Sequence, residues 1–153
     1  MPSPASYKGP HGPFEGMVGP ESTEMTGPNG WSGSVAWGSA RVVVGSGFER
    51  LLRQGIELRV GLHTGIVRQP RLGFTRRRRS VHVEVAEATW GWHYRGIGKN
   101  RFERPDKSSV AEWPRGGHAG RLVVDDAAAP LEVAVAVLTW FARLDLSCRP
   151  VRL

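Results

Sequence analysis

The chain reads as short runs in which apolar and polar residues alternate, followed near its end by one stretch where polar positions almost disappear. Alternation is clearest at Ser80-Val81-His82-Val83-Glu84-Val85, where a period of two puts the three valines on one face and His82 and Glu84 on the other. Trp90, Trp92 and Tyr94 resume that period beyond Ala86-Glu87-Ala88. The two runs therefore predict a hairpin whose inward faces meet, with the rings as core and not as a platform for stacked bases.

From Trp31 onward, runs rich in Val, Ile and Trp are punctuated by Gly, Pro, Asn or Asp, which is an all-β rhythm. Candidate strands are Arg41 to Val44, Ile56 to Val60, Gly65 to Gln69, Ser80 to Ala86, Thr89 to Arg95, Asn100 to Arg104, Ser109 to Trp113 and Arg121 to Val124. A weak internal repeat supports a meander. Ile66-Val67-Arg68-Gln69-Pro70-Arg71 leads through a Gly-containing loop to Ser80-Val81-His82-Val83. Val110-Ala111-Glu112-Trp113-Pro114-Arg115 leads likewise through Gly116, Gly117 and Gly120 to Arg121-Leu122-Val123-Val124.

Asp125, Asp126 and Pro130 announce a helix, the acids suited to capping and to its positive end and the proline to its first turn. From Leu131 to Leu144 only Glu132, Thr139 and Arg143 are polar, so the helix, predicted over about 130–145, is apolar on nearly every side. At 1.5 Å per residue it would be about 21 Å long, short of a hydrocarbon core of ~30 Å, so it is expected to be buried in protein. Each large side chain it buries contributes roughly 1.5–3 kcal/mol before entropy is subtracted. The predicted fold class is mainly β: an antiparallel meander forming a barrel-like sheet around one C-terminal hydrophobic helix.

Residues 1–30 break the pattern, being a mixture of Pro, Gly and Ser with few large apolar side chains, and are expected to form a disordered tail. Met17 and Met25 lie inside it, so the start codon stays open on sequence grounds. Residues 31–153 are expected to form one domain, a size at which roughly two-thirds of the surface is buried and no staples are needed.

Composition adds the partner class. A formal charge of +7 and a pI near 10.7 favour anionic partners. The one cysteine, Cys148, excludes an intramolecular disulfide and is given no role; a reducing cytoplasmic setting is expected. Neither a signal peptide nor a transmembrane run is recognisable, so a soluble protein is expected.

Trp92-His93-Tyr94-Arg95-Gly96, Arg101-Phe102-Glu103, Val110-Ala111-Glu112-Trp113, Asp126 and the helix from Pro130 to Leu144 together give β-hairpins wrapped about an apolar C-terminal helix. Over roughly 48–146 this pattern resembles the tubby-like C-terminal superfamily, which includes the LURP-one-related proteins and phospholipid scramblases. The resemblance implies a β-barrel threaded by a hydrophobic helix. A full barrel of that family has more strands than the candidates above, so a reduced or open barrel, or one completed by a partner, is implied here. Some relatives bind phosphoinositide, but no lysine-arginine pair in this chain can be assigned to that pocket.

The sharpest charge feature is Arg76-Arg77-Arg78-Arg79, with Arg68 and Arg71 nearby. Arginine forks bind phosphate bidentately, so these six residues are the candidate anion-binding set, weighed against a solvated turn that protects a sheet edge. The expected function is non-enzymatic binding of anionic phospholipid or an acidic protein. The alternative is a nucleic-acid-binding module, in which the same arginines neutralise phosphates and an exposed ring among Trp90, Trp92 and Tyr94 stacks a base. No catalytic residue, cofactor or metal site is predicted. His63, His82, His93 and His118 are scattered without metal-ligand spacing, and Gly45-Ser46-Gly47 fits neither a phosphate-binding loop nor a nucleophile elbow and reads as a turn. A deep pocket joining a histidine to a carboxylate would reopen the question of an enzyme.

Overall fold

Inward and outward side chains alternate along most of the strands, and a single sheet results. The computed structural model of the chain describes residues 2–38, 47–69, 79–96, 98–113 and 121–148. The strands are β1 (Ser3–Tyr7), β2 (Phe14–Val18), β3 (Ser22–Thr26), β4 (Ser32–Ala36), β5 (Ile56–Val60), β6 (His63–Arg68), β7 (Val81–Val85), β8 (Ala88–Tyr94), β9 (Asn100–Glu103), β10 (Ser109–Trp113) and β11 (Val123–Val124). All eleven pair antiparallel with their sequence neighbours in the order β1 to β11. The predicted meander is therefore present, but among the described residues no strand pairing joins β1 to β11. The barrel-like sheet has an open seam.

Two α-helices are present among the described residues. Helix α1 (Gly47–Gln54), which was not anticipated, precedes β5, and helix α2 (Pro130–Phe141) follows β11. Val133 to Thr139 and Phe141 are buried, and α2 packs against β2, β3, β4, β5 and β10. The sheet comes close enough because it carries glycine opposite the largest helix residues. A Cβ on Gly16 would lie 2.6 Å from Phe141 Cδ2, and one on Gly33 would lie 3.1 Å from Leu138 Cδ2.

The structure corrects the expectation of a disordered tail. Residues 3–26 contain β1, β2 and β3, continuous with the rest of the sheet, and Tyr7, Phe14 and Met25 belong to the core. Backbone pairing offsets the ordering entropy that composition alone suggested would win. The same observation removes the boundary at residue 30.

Other differences are local. The candidate strand Arg41 to Val44 lies outside the described residues, as do the Pro-Arg positions of the internal repeat. Both repeat copies nevertheless begin antiparallel pairs, β6 with β7 and β10 with β11. Of the predicted glycine turn, Gly47 is the first residue of α1. Ala129, not an aspartate, is the N-cap of α2, and its N–H donates over 3.0 Å to the Glu132 carboxylate. Asp125 instead closes a turn by accepting the Ala127 N–H at 3.2 Å. Helix α2 stops at Phe141, before the predicted end, because Arg143 takes a left-handed conformation (φ 59°). The chain then enters a short 3-10 turn, Leu144–Cys148, in which the buried Asp145 accepts the Asn100 side-chain amide at 3.0 Å.

Candidate functional site

The outer face of β6 to β9 gathers the polar residues that the valine and tryptophan positions leave behind. Pairing sets Arg68 beside His82, His82 beside Gly91, and Gly91 beside Glu103, so one row crosses four strands. Ser80 and His93 flank that row. The Ser80 hydroxyl and His93 Nδ1 are 2.7 Å apart, and a Cβ on Gly91 would meet His93 Nε2 at 2.7 Å, so glycine at this position makes room for the imidazole.

A cavity of about 290 Å³ opens over this row, lined in part by His82, His93, Arg95, Glu103, Arg104 and Lys107. A second, of about 280 Å³, adjoins it through His82 and Thr89 and is also lined by Arg68 and Glu84. Together they form a trough across β6 to β9.

Ion pairs occupy most of the charges there. Arg95 donates Nε to Glu103 Oε2 at 2.6 Å and Nη2 to Oε1, a fork that closes on the buried carboxylate. Arg101 is bound to Glu112 at 2.7 Å, and Arg104 forks onto Glu132 at 2.7 and 2.9 Å. Arg68 and Lys107 have no ion-pair partner among the described residues; Glu84 also has none.

The surroundings of His82 and His93 lower the pKa of both. Burial, with Arg68 adding to it, pushes His82 below its usual value. Burial also lowers His93; Glu103 pulls it back up, while Arg95 and His82 act with burial. The bond to Glu103 raises Arg95 against the effect of burial.

The six predicted anion-binding arginines fare differently. Arg68 lines the trough. Arg79 is buried, and its guanidinium donates to the Ser147 carbonyl at 3.3 Å, which makes it a tie between β7 and the C-terminal turn. Gln69 reinforces that tie by donating its side-chain amide to the carbonyls of Arg79 (2.6 Å) and Ser147 (2.7 Å). Arg71, Arg76, Arg77 and Arg78 lie outside the described residues.

Of the rings considered for base stacking, Trp90 and Trp92 are buried. Trp90 donates its indole N–H to Glu132 at 2.9 Å and Trp92 to Thr139 at 2.9 Å, while Tyr94 is half-buried and accepts the Gly98 N–H at 3.2 Å. No platform of exposed rings exists on these strands.

Ser80 and Glu103 were not considered as site residues from the sequence, and His93 was set aside as one of four scattered histidines. The signal was available in the alternation: if Trp90, Trp92 and Tyr94 face inward, then Gly91 and His93 face outward, and the hairpin register brings Ser80 opposite His93. The pocket joining histidines to a carboxylate exists, but Glu103 is held by both arms of Arg95, so it is not a free base for His93. Among the described residues, no group of three or more His, Cys, Asp or Glu side chains could hold a metal ion. No helix of the described residues is long and apolar enough to cross a membrane. No protein-family model, curated protein or solved structure matches this chain.

Proposed function

We propose that this chain is a non-enzymatic, tubby-like cytoplasmic β-domain that associates with anionic phospholipid through the outer face of β6 to β9 and the arginine-rich connection between β6 and β7. One observation carries the reading. Arg68 pairs with His82 across β6 and β7, so both ends of the connection bearing Arg71, Arg76, Arg77 and Arg78 meet at the trough. The carboxylates Glu103, Glu112 and Glu132 on neighbouring strands and α2 are already engaged by Arg95, Arg101 and Arg104. Of the carboxylates lining the trough, only Glu84 has no ion-pair partner among the described residues, fewer than the arginines this stretch of sequence carries, and a surface of phosphate headgroups would supply counter-charges at ~1 kcal/mol per cation. The eleven-stranded meander around a buried apolar helix supports the tubby-like part of the reading.

An enzyme is the second reading, and the Ser80–His93 contact at 2.7 Å favours it. Against it stand the burial of Ser80 (4% exposed) and the engagement of Glu103 by Arg95. Ester hydrolysis by the wild type that disappears in Ser80→Ala would replace the lipid reading with this one.

Co-sedimentation with vesicles at physiological salt tests the proposal. Wild type should sediment with vesicles containing phosphatidylserine and stay in solution with phosphatidylcholine alone. A variant with Arg68, Arg76, Arg77 and Arg78 all replaced by Ala, keeping the structural Arg79, should lose on the order of a hundredfold or more in affinity. Absence of vesicle binding by the wild type would sink the membrane reading. Displacement by single-stranded RNA would favour nucleic acid, and displacement by an acidic protein would favour a protein partner.

A further inference from the structure

The open seam of the sheet encloses a cavity of about 410 Å³, which shares no described lining residue with the β6 to β9 trough. Its walls are the end of β1 and the residues after it (Tyr7, Lys8, Gly9), the chain entering β11 (Arg121, Leu122), and Trp140 from α2. The hairpin after β1 and the turn after β11 are tied by a 2.9 Å hydrogen bond between His11 Nε2 and the Asp126 carbonyl, so the seam is bridged beside the cavity although no strand pairing closes it.

Three features of this cavity bear on what it could hold. Lys8 and Arg121 are both exposed and have no ion-pair partner among the described residues, and no carboxylate appears among the described lining residues. The wall between them is mixed, with Tyr7, Leu122 and Trp140 supplying apolar surface and Ser6 a polar side chain. The Trp140 indole N–H is buried without a hydrogen-bond partner, whereas Trp37, Trp90 and Trp92 each donate theirs. A buried indole usually finds an acceptor, because leaving the donor dry has a cost. Tyr7 does not supply one, since the Trp140 indole has no partner within hydrogen-bond distance. The Tyr7 hydroxyl donates to the Pro10 carbonyl at 2.7 Å, and burial, with Asp126 adding to it, raises its pKa to about 12.

We infer that this seam is a binding site for a small amphiphilic anion, an organic carboxylate or phosphate monoester with a short apolar body. Its head sits between Lys8 and Arg121, and its body lies against Tyr7, Leu122 and Trp140. The volume is in the range of small-molecule sites, and apolar surface with a few converging donors is their usual make-up. The Trp140 ring lines the cavity and so reports on it, although its indole nitrogen is itself sealed from solvent.

Titration of the full-length, nitrogen-15-labelled protein with octanoate and with octyl phosphate, below their aggregation concentrations, tests this. Indole N–H signals are read, and that of Trp140 is identified as the one missing from Trp140→Phe. Its signal should shift saturably with at least one of the anions, and the tighter of the two identifies the headgroup. Octanol, the neutral control, should give no saturable shift. Lys8→Ala combined with Arg121→Ala should weaken binding at least tenfold while leaving the other indole signals in place. Replacing Arg68, Arg76, Arg77 and Arg78 should leave the titration unchanged, which separates this site from the trough. A Trp140 signal that moves with neither anion overturns the inference. So does equal affinity in the Lys8/Arg121 double variant, or octanol binding as tight as that of the anions.

Discussion

Thr139, on the buried face of α2, accepts the indole N–H of Trp92 from β8 at 2.9 Å, and its hydroxyl lies within donating reach of the Val135 and Ala136 carbonyls, at 2.8 and 3.1 Å. One hydroxyl thus serves sheet and helix at once, in a region where both residues are fully buried. Thr139→Val keeps the shape and orphans the Trp92 donor, so it should destabilise the protein by about 1–3 kcal/mol, while Thr139→Ser should retain the bond. Thermal unfolding of the two variants against wild type measures the difference; equal losses would show that the methyl group matters more than the hydrogen bond.

Leu138 is wholly buried against the sheet. Leu138→Asp would place a carboxylate there without a counter-charge and should cost on the order of 5 kcal/mol, enough to prevent soluble folding. A soluble monomer with an unchanged melting curve would contradict the buried position of α2.

Deleting residues 1–30 removes β1, β2 and β3, and with them Tyr7, Phe14 and Met25 from the core. Phe141 loses the strand that carries Gly16. The shortened chain should be insoluble or lack a cooperative melt. A truncated protein that melts like the full chain would restore the view of these residues as a dispensable tail.

The β7–β8 turn is made by Ala86 and Glu87, both left-handed with φ of 50° and 66°. Neither residue type favours that conformation, which costs roughly 1–2 kcal/mol at each position, whereas Asn-Gly adopts it readily. Ala86→Asn with Glu87→Gly should raise the melting temperature by several degrees, on the order of 1–2 kcal/mol of added stability. An unchanged or lowered melting temperature would mean that the strain is relieved elsewhere in the hairpin.

Burial alone would raise the Glu132 carboxyl, but the Arg104 fork, the Trp90 indole and the Ala129 N–H together bring it down to about 2 from 4.5. A carboxylate depressed in the folded state contributes its stability in full above the unfolded value and loses it as pH falls toward the folded one. A shift of this size corresponds to something on the order of 3 kcal/mol. Stability should therefore decline between pH 4.5 and 2 more steeply in wild type than in Glu132→Gln, which starts from a lower plateau. Parallel acid limbs in denaturant titrations would show that Glu132 is not the group responsible.

Where burial follows from a local run, the fold was legible in the sequence. Val81, Val83, Val85, Trp90 and Trp92 alternate against polar neighbours and became two paired strands; the apolar stretch after Pro130 became the interior helix. The N-terminal strands were hidden because their contribution is made at a distance. Gly16 and Gly33 look like breakers along the chain and only acquire a use once Phe141 and Leu138 lie against them. Arg79 misled for the same reason: nothing near it in sequence reveals that its guanidinium meets the Ser147 carbonyl. The outer-face residues Ser80 and His93 were reachable by carrying the alternation one step further.

The position of α2 has a consequence for how the protein is made. Each strand of the meander finds its partner in the segment synthesised next to it, so hairpins can form in order as the chain emerges. Their inner faces lack α2 as a partner until residues 130–141 have also left the ribosome. Until then the nascent sheet shows water its valines, tryptophans and phenylalanines. That interval, and not the finished molecule, is when this protein is most exposed to aggregation and most in need of a chaperone.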